Sequence, residues 1–229
     1  MLRVKLISVI GTLILVSAAF GQAKKLKLVE EGVVKVGENE SYSRAIEIVG
    51  DQLWMASSDG VLRSYDLREN VLNFESRTAG LEELRDLYVS DSLVLGMMSG
   101  SSGKLLMLEN GNEKVITIQG GDSVFLDVLD INAEGYGAMM GDPRHGFFSL
   151  YFTEDFGNSW KAFSHHVPAF TGEAGFAASG STLKMTSDSS FIFVTGGMKS
   201  RMITVELNKS VYTSVNYQSF SLPFKNEEG

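Results

Sequence analysis

Residues 153 to 160 read Thr153-Glu154-Asp155-Phe156-Gly157-Asn158-Ser159-Trp160, a Ser/Thr-x-Asp-x-Gly-x-x-Trp string. Between two strands these eight residues close a β-hairpin with its own internal chemistry. An Asp155 carboxylate accepts hydrogen bonds from backbone N–H groups just ahead of it, and Gly157 allows the positive φ that such a turn needs. Thr153 ends one strand, Trp160 begins the next, and the indole folds back to bury its area against neighbouring strands. This structural reading of Thr153, Asp155, Gly157 and Trp160 is preferred to one in which Asp155 is catalytic or a metal ligand.

Degraded copies of the string recur when its acidic position is used as a ruler. Ser64-x-Asp66 is followed by Arg68 and Val71, Met107-x-Glu109-x-Gly111 comes next, and Thr204-x-Glu206-x-Asn208 with Val211 is the last. Acidic positions 66, 109, 155 and 206 are 43, 46 and 51 residues apart, a spacing that suits one four-stranded propeller blade per repeat. The flanking segments keep step. Compact apolar runs at 53–56, 93–98, 136–140 and 191–194 lack clean alternation, as strands buried on both faces do. Alternating strands at 61–65, 104–108, 149–153 and 201–205 follow them. Inner strands are expected at 44–49, 84–89, 125–131 and 175–179, and outer strands at 71–76, 115–119, 160–164 and 211–215. The fold class expected is all-β, a propeller of four-stranded antiparallel blades, at about 41–79, 80–120, 121–168 and 169–217. The 24 Gly against 3 Pro fit many tight turns.

Composition bounds the partners. With 229 residues, 44% of them hydrophobic, the chain can bury a core as one β domain. A formal net charge of −8 argues against nucleic acid, whose phosphates need Lys and Arg. Lys24-Lys25-Leu26-Lys27 reads as a solvated terminus. Arg3 and Lys5, the apolar run 6–19 and the small-x-small site Ala19-Phe20-Gly21 read as an export signal, leaving 22–229 as the mature chain. The apolar run is too short to favour a membrane span, so no stable insertion is expected after cleavage, a signal anchor being the competing reading. The absence of Cys excludes lipoprotein processing, disulfides, thiolate nucleophiles and Cys-based metal sites.

Three stretches carry a resemblance: Gly141-Asp142-Pro143 through Phe147, the hairpin 153–160, and Gly172-Glu173-Ala174-Gly175-Phe176-Ala177-Ala178-Ser179-Gly180-Ser181. Together they resemble exported bacterial β-propellers with sialidase-type Asp-box (BNR) repeats, similar to photosystem II stability/assembly factor-like proteins and loosely labelled oxidoreductases. The resemblance runs from about Ser41 to Tyr217. It departs from the pattern in having one intact Asp-box and Arg144-His145 before Gly146. Such propellers close with six or seven blades, whereas about four are legible here, so a partial ring is expected.

Enzymatic readings fare poorly. A sialidase needs three Arg to clamp a carboxylate, a Tyr–Glu pair and an acid. The mature chain has Arg only at 44, 63, 68, 77, 85, 144 and 201, several of them in or beside peripheral hairpins. Arg44 and Arg85 sit at equivalent inner-strand positions and line a channel or pair with Glu47 or Asp86. His165 and His166, adjacent in a strand, point to opposite faces and do not chelate one metal. His145 beside Asp142 is an acid–base pair or a turn cap. Gly120-Gly121-Asp122 and Gly196-Gly197-Met198 read as turns, because no helix follows for a phosphate. No cofactor, metal or catalytic residue is assigned. A binding module remains, for a protein or a glycan, with Asp142, Arg144 and Glu173 on the loops 142–146 and 171–175 as candidate contacts, against the favoured reading of them as turn-forming residues that hold blades together.

Overall fold

The computed structural model describes residues 41–77, 82–99, 103–118, 124–163, 166–176, 180–208 and 215–223. The expected signal, the Gly120-Gly121-Asp122 turn, His165 and most of the outer strand expected at 211–215 lie outside the described residues. Four antiparallel four-stranded sheets follow one another along the chain. The first holds β1 (Ser43–Val49), β2 (Gln52–Ser57), β3 (Val61–Asp66) and β4 (Val71–Arg77). The second holds β5 (Glu83–Val89), β6 (Leu93–Ser99), β7 (Lys104–Glu109) and β8 (Asn112–Thr117). The third holds β9 (Leu126–Ile131), β10 (Gly137–Arg144), β11 (Phe147–Thr153) and β12 (Lys161–Ala162). A two-stranded piece, β13 (Glu173–Ala174) with β16 (Gly196–Gly197), adjoins the fourth, made of β14 (Leu183–Met185), β15 (Ser190–Val194), β17 (Arg201–Leu207) and β18 (Val215–Ser221).

Each sheet is a simple meander, and the sheets pack face to face as successive propeller blades. Between the first and second, Ala56 and Leu62 meet Leu84, Val94, Met98 and Leu106. Between the second and third, Leu95, Met97 and Met107 meet Leu129, Met139, Tyr151 and Trp160. Between the third and fourth, Met140, Phe148 and Phe152 meet Phe191, Phe193 and Ile203, with the Phe148 and Phe193 rings edge to face at 5.2 Å. Burial on both faces explains the unbroken apolar run of β6, in which every residue is buried. Among the described residues no sheet precedes β1 of the first blade, and Ile46 and Ile48 stand 60% and 59% exposed. Inner strands touch in chain order, β1 to β5, β5 to β9 and β9 to β14, and no comparable contact returns from β14 to β1. The described blades are consistent with a partial propeller.

Neighbouring inner strands are not joined by a ladder, and aspartates bridge them instead. Asp86 accepts Leu129 N–H at 2.8 Å through Oδ2, and its Oδ1 accepts Leu87 N–H. Asp130 repeats the device one blade later, accepting Met185 N–H at 2.7 Å. Each carboxylate thus satisfies a backbone donor that would otherwise be orphaned at a blade junction.

Two strand expectations meet the described residues only in part. The inner strand described for the fourth blade is Leu183–Met185; of the segment expected there, 175–179, residues 177–179 lie outside the described residues, and Glu173–Ala174 just ahead of it pairs with Gly196–Gly197. Gly196-Gly197 is thus a short ladder rather than a turn. A Cβ at Gly197 would stand 2.3 Å from Gly172 O, and its φ is +91°, so only glycine fits there. The outermost strand described for that blade is Val215–Ser221, which takes in the last residue of the expected segment, the rest of which lies outside the described residues.

Candidate functional site

The hairpin joining β10 to β11 and the segment leading into the fourth blade come together at one end of the molecule. Register slips between Gly141 and Arg144, and the bulge accommodates Pro143, which has no N–H to offer a ladder. Arg144 pairs with Phe147 across a two-residue turn, His145-Gly146, both at positive φ (52° and 82°). This is the type I′ hairpin geometry. His145 is thus a turn residue, the second of the two readings open for it.

Between this hairpin and residues 169–174 lies a depression of about 430 Å³. Asp142 and Glu173 both line it, with Pro143, Phe170 and Gly172, whereas Arg144 lies just beyond it. Arg144 is half-buried and forms no ion pair among the described residues. Two of the three candidates are therefore brought together, and the third flanks them.

Their surroundings differ. Glu173 is a buried structural anion with no side-chain exposure. Arg201 grips it bidentately, Nε to Oε1 and Nη2 to Oε2, each at 2.8 Å. Phe170 N–H and the Thr195 hydroxyl also donate to its carboxylate. Burial alone would raise its pKa, but these donors, Arg201 foremost, hold it below the ordinary carboxylate value. Arg201 reaches on to Pro168 O and lies 4.6 Å from the centre of the Phe170 ring, over which Lys199 Nζ also sits at 3.7 Å. The ring of Phe170 remains 46% exposed.

Asp142 is pinned through its backbone and one oxygen. Its N–H donates to Phe125 O, its carbonyl accepts the Ser149 hydroxyl, and Oδ1 accepts Gly175 N–H at 3.1 Å. Behind it stands Asp127, 3% exposed, whose Oδ2 has no N–H or O–H donor among the described residues. Burial, reinforced by the Asp142 charge and opposed by Arg85, pushes the Asp127 carboxyl up to about 8. Burial also raises Asp142, against the pull of Gly175 N–H and Asp127. Burial and the neighbouring negative charge thus both favour the neutral form of Asp127, because like charges resist joint ionisation. Gly175 completes the packing, since a Cβ there would stand 2.1 Å from Asp127 Oδ2.

Arg44 and Arg85 both donate to Glu83, correcting the expected pairing with Glu47 or Asp86. Arg63 pairs with Glu75 and Asp59, Arg68 with Asp51, and Arg77 with Asp59. Among the described residues, six of the seven Arg expected in the mature chain are thus committed to acidic partners. No group of three or more His, Asp or Glu poised for a metal occurs among them either.

The hairpin 153–160 sits at the opposite end. Asp155 accepts Ser159 N–H, the Ser159 hydroxyl and the Thr153 hydroxyl at 2.8, 2.6 and 2.8 Å. Against the effect of burial, these bonds hold its pKa below the usual value. Gly157 has φ +81°, and Trp160 is 8% exposed and donates Nε1–H to Gly157 O at 3.0 Å. Every bond of Asp155 is spent on its own turn. Asp155→Ala is expected to cost about 1–3 kcal/mol of stability in urea unfolding and to leave ligand binding at the distant depression unchanged.

No family model and no curated protein matches the sequence. Solved structures do. One chain of the S. cerevisiae complex of Dbp5 L327V with Nup159, Gle1 H337R, IP6 and ADP is similar at TM-score 0.50 and 13% identity, over 77% of this chain and 46% of that one. The computationally designed Ika4 protein is similar at TM-score 0.49 and 11% identity, over 85% of this chain and 99% of that one. The N-terminal domain of Nup159 gives 0.48 and 13%, over 77% and 47%. The likeness is one of fold. At these identities it carries no activity, so the function must be argued from the depression itself. No described helix is long and apolar enough to cross a membrane.

Proposed function

We propose that this chain is a non-catalytic, exported propeller module that binds a protein partner at the depression between the β10–β11 hairpin and residues 169–174. One observation carries the reading. Loops about 30 residues apart in sequence converge on one depression, and the buried charge of Glu173 is neutralised internally by Arg201. The depression is lined by Asp142 and by Phe170, whose ring is exposed, and half-buried Arg144, without an ion pair among the described residues, lies beside it in sequence. Such a mixed polar and aromatic surface suits a polypeptide. The resemblance to exported propellers with Asp-box repeats, similar to photosystem II stability/assembly factor-like proteins, agrees with an assembly or scaffold role. The commitment of most Arg to acidic partners speaks against a sialidase-type clamp. A degenerate glycan-binding relative of sialidases is the second reading, favoured by the Phe170 face beside a carboxylate.

The test is quantitative capture of binding partners from the exported fraction with wild type and with Asp142→Ala/Arg144→Ala. Glu173 is left intact because its loss unbalances a buried charge. A protein retained by wild type and reduced about tenfold or more by the double variant is expected. Equal retention by both would overturn the proposal.

A further inference from the structure

Two equivalent notches, one between each pair of adjacent blades among the first three, are filled differently. Between the second and third blades the notch is closed by the hairpin 153–160. A Cβ at Gly157 would stand 2.7 Å from Leu95 Cδ1 of β6, the Trp160 indole joins the cluster formed by Leu93, Leu95 and Met107, and Lys114 of β8 bonds Asn158. One blade earlier the same hairpin is reduced to Asn110-Gly111, both at positive φ (48° and 78°), with Glu109 paired directly to Asn112. Gly111 matches Gly157 in place and conformation, yet a Cβ built on it would meet nothing within 4 Å. Blade two has no counterpart of Trp160 in this turn.

The consequence is an open groove of about 310 Å³ between the first and second blades. Val49 and Trp54 form one wall, Val94 and Leu108 the other, and Ser92 and Asn110 stand at the mouth. Trp54 is half-buried and braced by Phe74, their ring centres 5.7 Å apart. The strand 1–2 and 3–4 turns lie at the end of the blades opposite the strand 2–3 turns, so this groove is separate from the depression at Asp142.

We propose that this groove is a docking slot for an aromatic side chain, an indole above all, presented by a turn of a partner polypeptide. The molecule itself indicates the occupant: in the neighbouring notch Leu95, which stands in its blade where Trp54 stands in the first, packs with Trp160 delivered from a glycine-containing turn. The walls offer apolar area for a flat ring, and the rim offers an amide and a hydroxyl to the turn that carries it.

The probe is a synthetic nonapeptide, Thr-Glu-Asp-Phe-Gly-Asn-Ser-Trp-Lys, which copies residues 153–161. Its counterpart with Trp replaced by Ala is the control. Titrated into ¹⁵N-labelled full chain, the Trp peptide is expected to shift the resonances of Val49, the Trp54 indole N–H, Val94 and Asn110, saturating with Kd near or below about 1 mM. The Ala peptide should bind at least tenfold more weakly. Ser92→Arg, an exposed substitution that obstructs the mouth, should weaken the Trp peptide at least fivefold while leaving the unfolding midpoint unchanged. Trp54→Leu, which also gives up the ring contact with Phe74 and so lowers the unfolding midpoint, should likewise weaken the Trp peptide at least fivefold at temperatures where the variant is fully folded. Equal shifts from both peptides, shifts confined to other surfaces, or no shift at several millimolar would overturn the proposal. So would saturation of the groove by a monosaccharide in preference to the peptide.

Discussion

Raising the pH from 5 to 8.5 is expected to destabilise the protein by about 2–4 kcal/mol, and Asp127→Asn is expected to abolish most of that loss. In the folded chain Asp127 is pushed up to about 8 and Asp86 to about 7, in each case chiefly by burial. An unfolded aspartate titrates near 3.9. Between roughly pH 4 and 8 the native state therefore holds protons that the unfolded chain has released, and stability must fall as pH rises through that window. The slope is bounded at about 1.4 kcal/mol per pH unit for each such group, and relaxation around a newly charged pair reduces it. Asparagine keeps the volume of Asp127 and can donate to Asp142 at any pH, so the variant should match wild type near pH 5 and exceed it near pH 8.5. Glu173 and Asp155, whose pKa values are held low, act in the opposite sense and lose their contribution only as pH falls below the ordinary carboxylate range. Maximum stability should then lie near pH 5. Urea midpoints at six or seven pH values check this, and parallel curves for wild type and Asp127→Asn would refute it.

Glu173→Ala should be the most damaging single substitution near the candidate site, lowering stability by about 3–5 kcal/mol at pH 6. It would leave the Arg201 guanidinium, 7% exposed, without a counter-ion, and would strip an acceptor from Phe170 N–H and Thr195. The penalty comes from the stranded charge rather than from any large net worth of the pair. Glu173→Ala/Arg201→Met should accordingly recover a large part of the loss. If the double variant is as unstable as Glu173→Ala, the pair is not the pin that joins residues 170–174 to β17.

The blade pattern was legible because its signals are local. The self-closing hairpin 153–160 and the unbroken runs of β6 and β10 announce strands buried on both faces, and the acidic ruler at 66, 109, 155 and 206 spaces them correctly. The inner strand of the fourth blade was not legible. Leu183-Lys184-Met185 is three residues long, and its apolar pair is outweighed by the longer small-residue run ahead of it. At the site, residues of the loops 142–146 and 171–175 line one depression. What could not be read is how their charges are spent. Arg201 lies 28 residues from Glu173, and Asp127 meets Asp142 only because a bulge in β10 returns the chain over β9. Nothing in the residues near Asp127 distinguishes it from Asp130, three residues on and on the other face of the same strand, which instead bridges to Met185.

The central claim is that Asp142, Arg144 and Phe170 bind a polypeptide and perform no glycan chemistry. A glycan array probed in parallel with wild type and Asp142→Ala/Arg144→Ala, with release of sialic acid from a fluorogenic sialoside followed on the same samples, tests it most directly. The expected result is no sialoside turnover and no glycan whose retention depends on the two residues. A glycan held by wild type and lost by the double variant would contradict the claim, as would turnover that disappears with it.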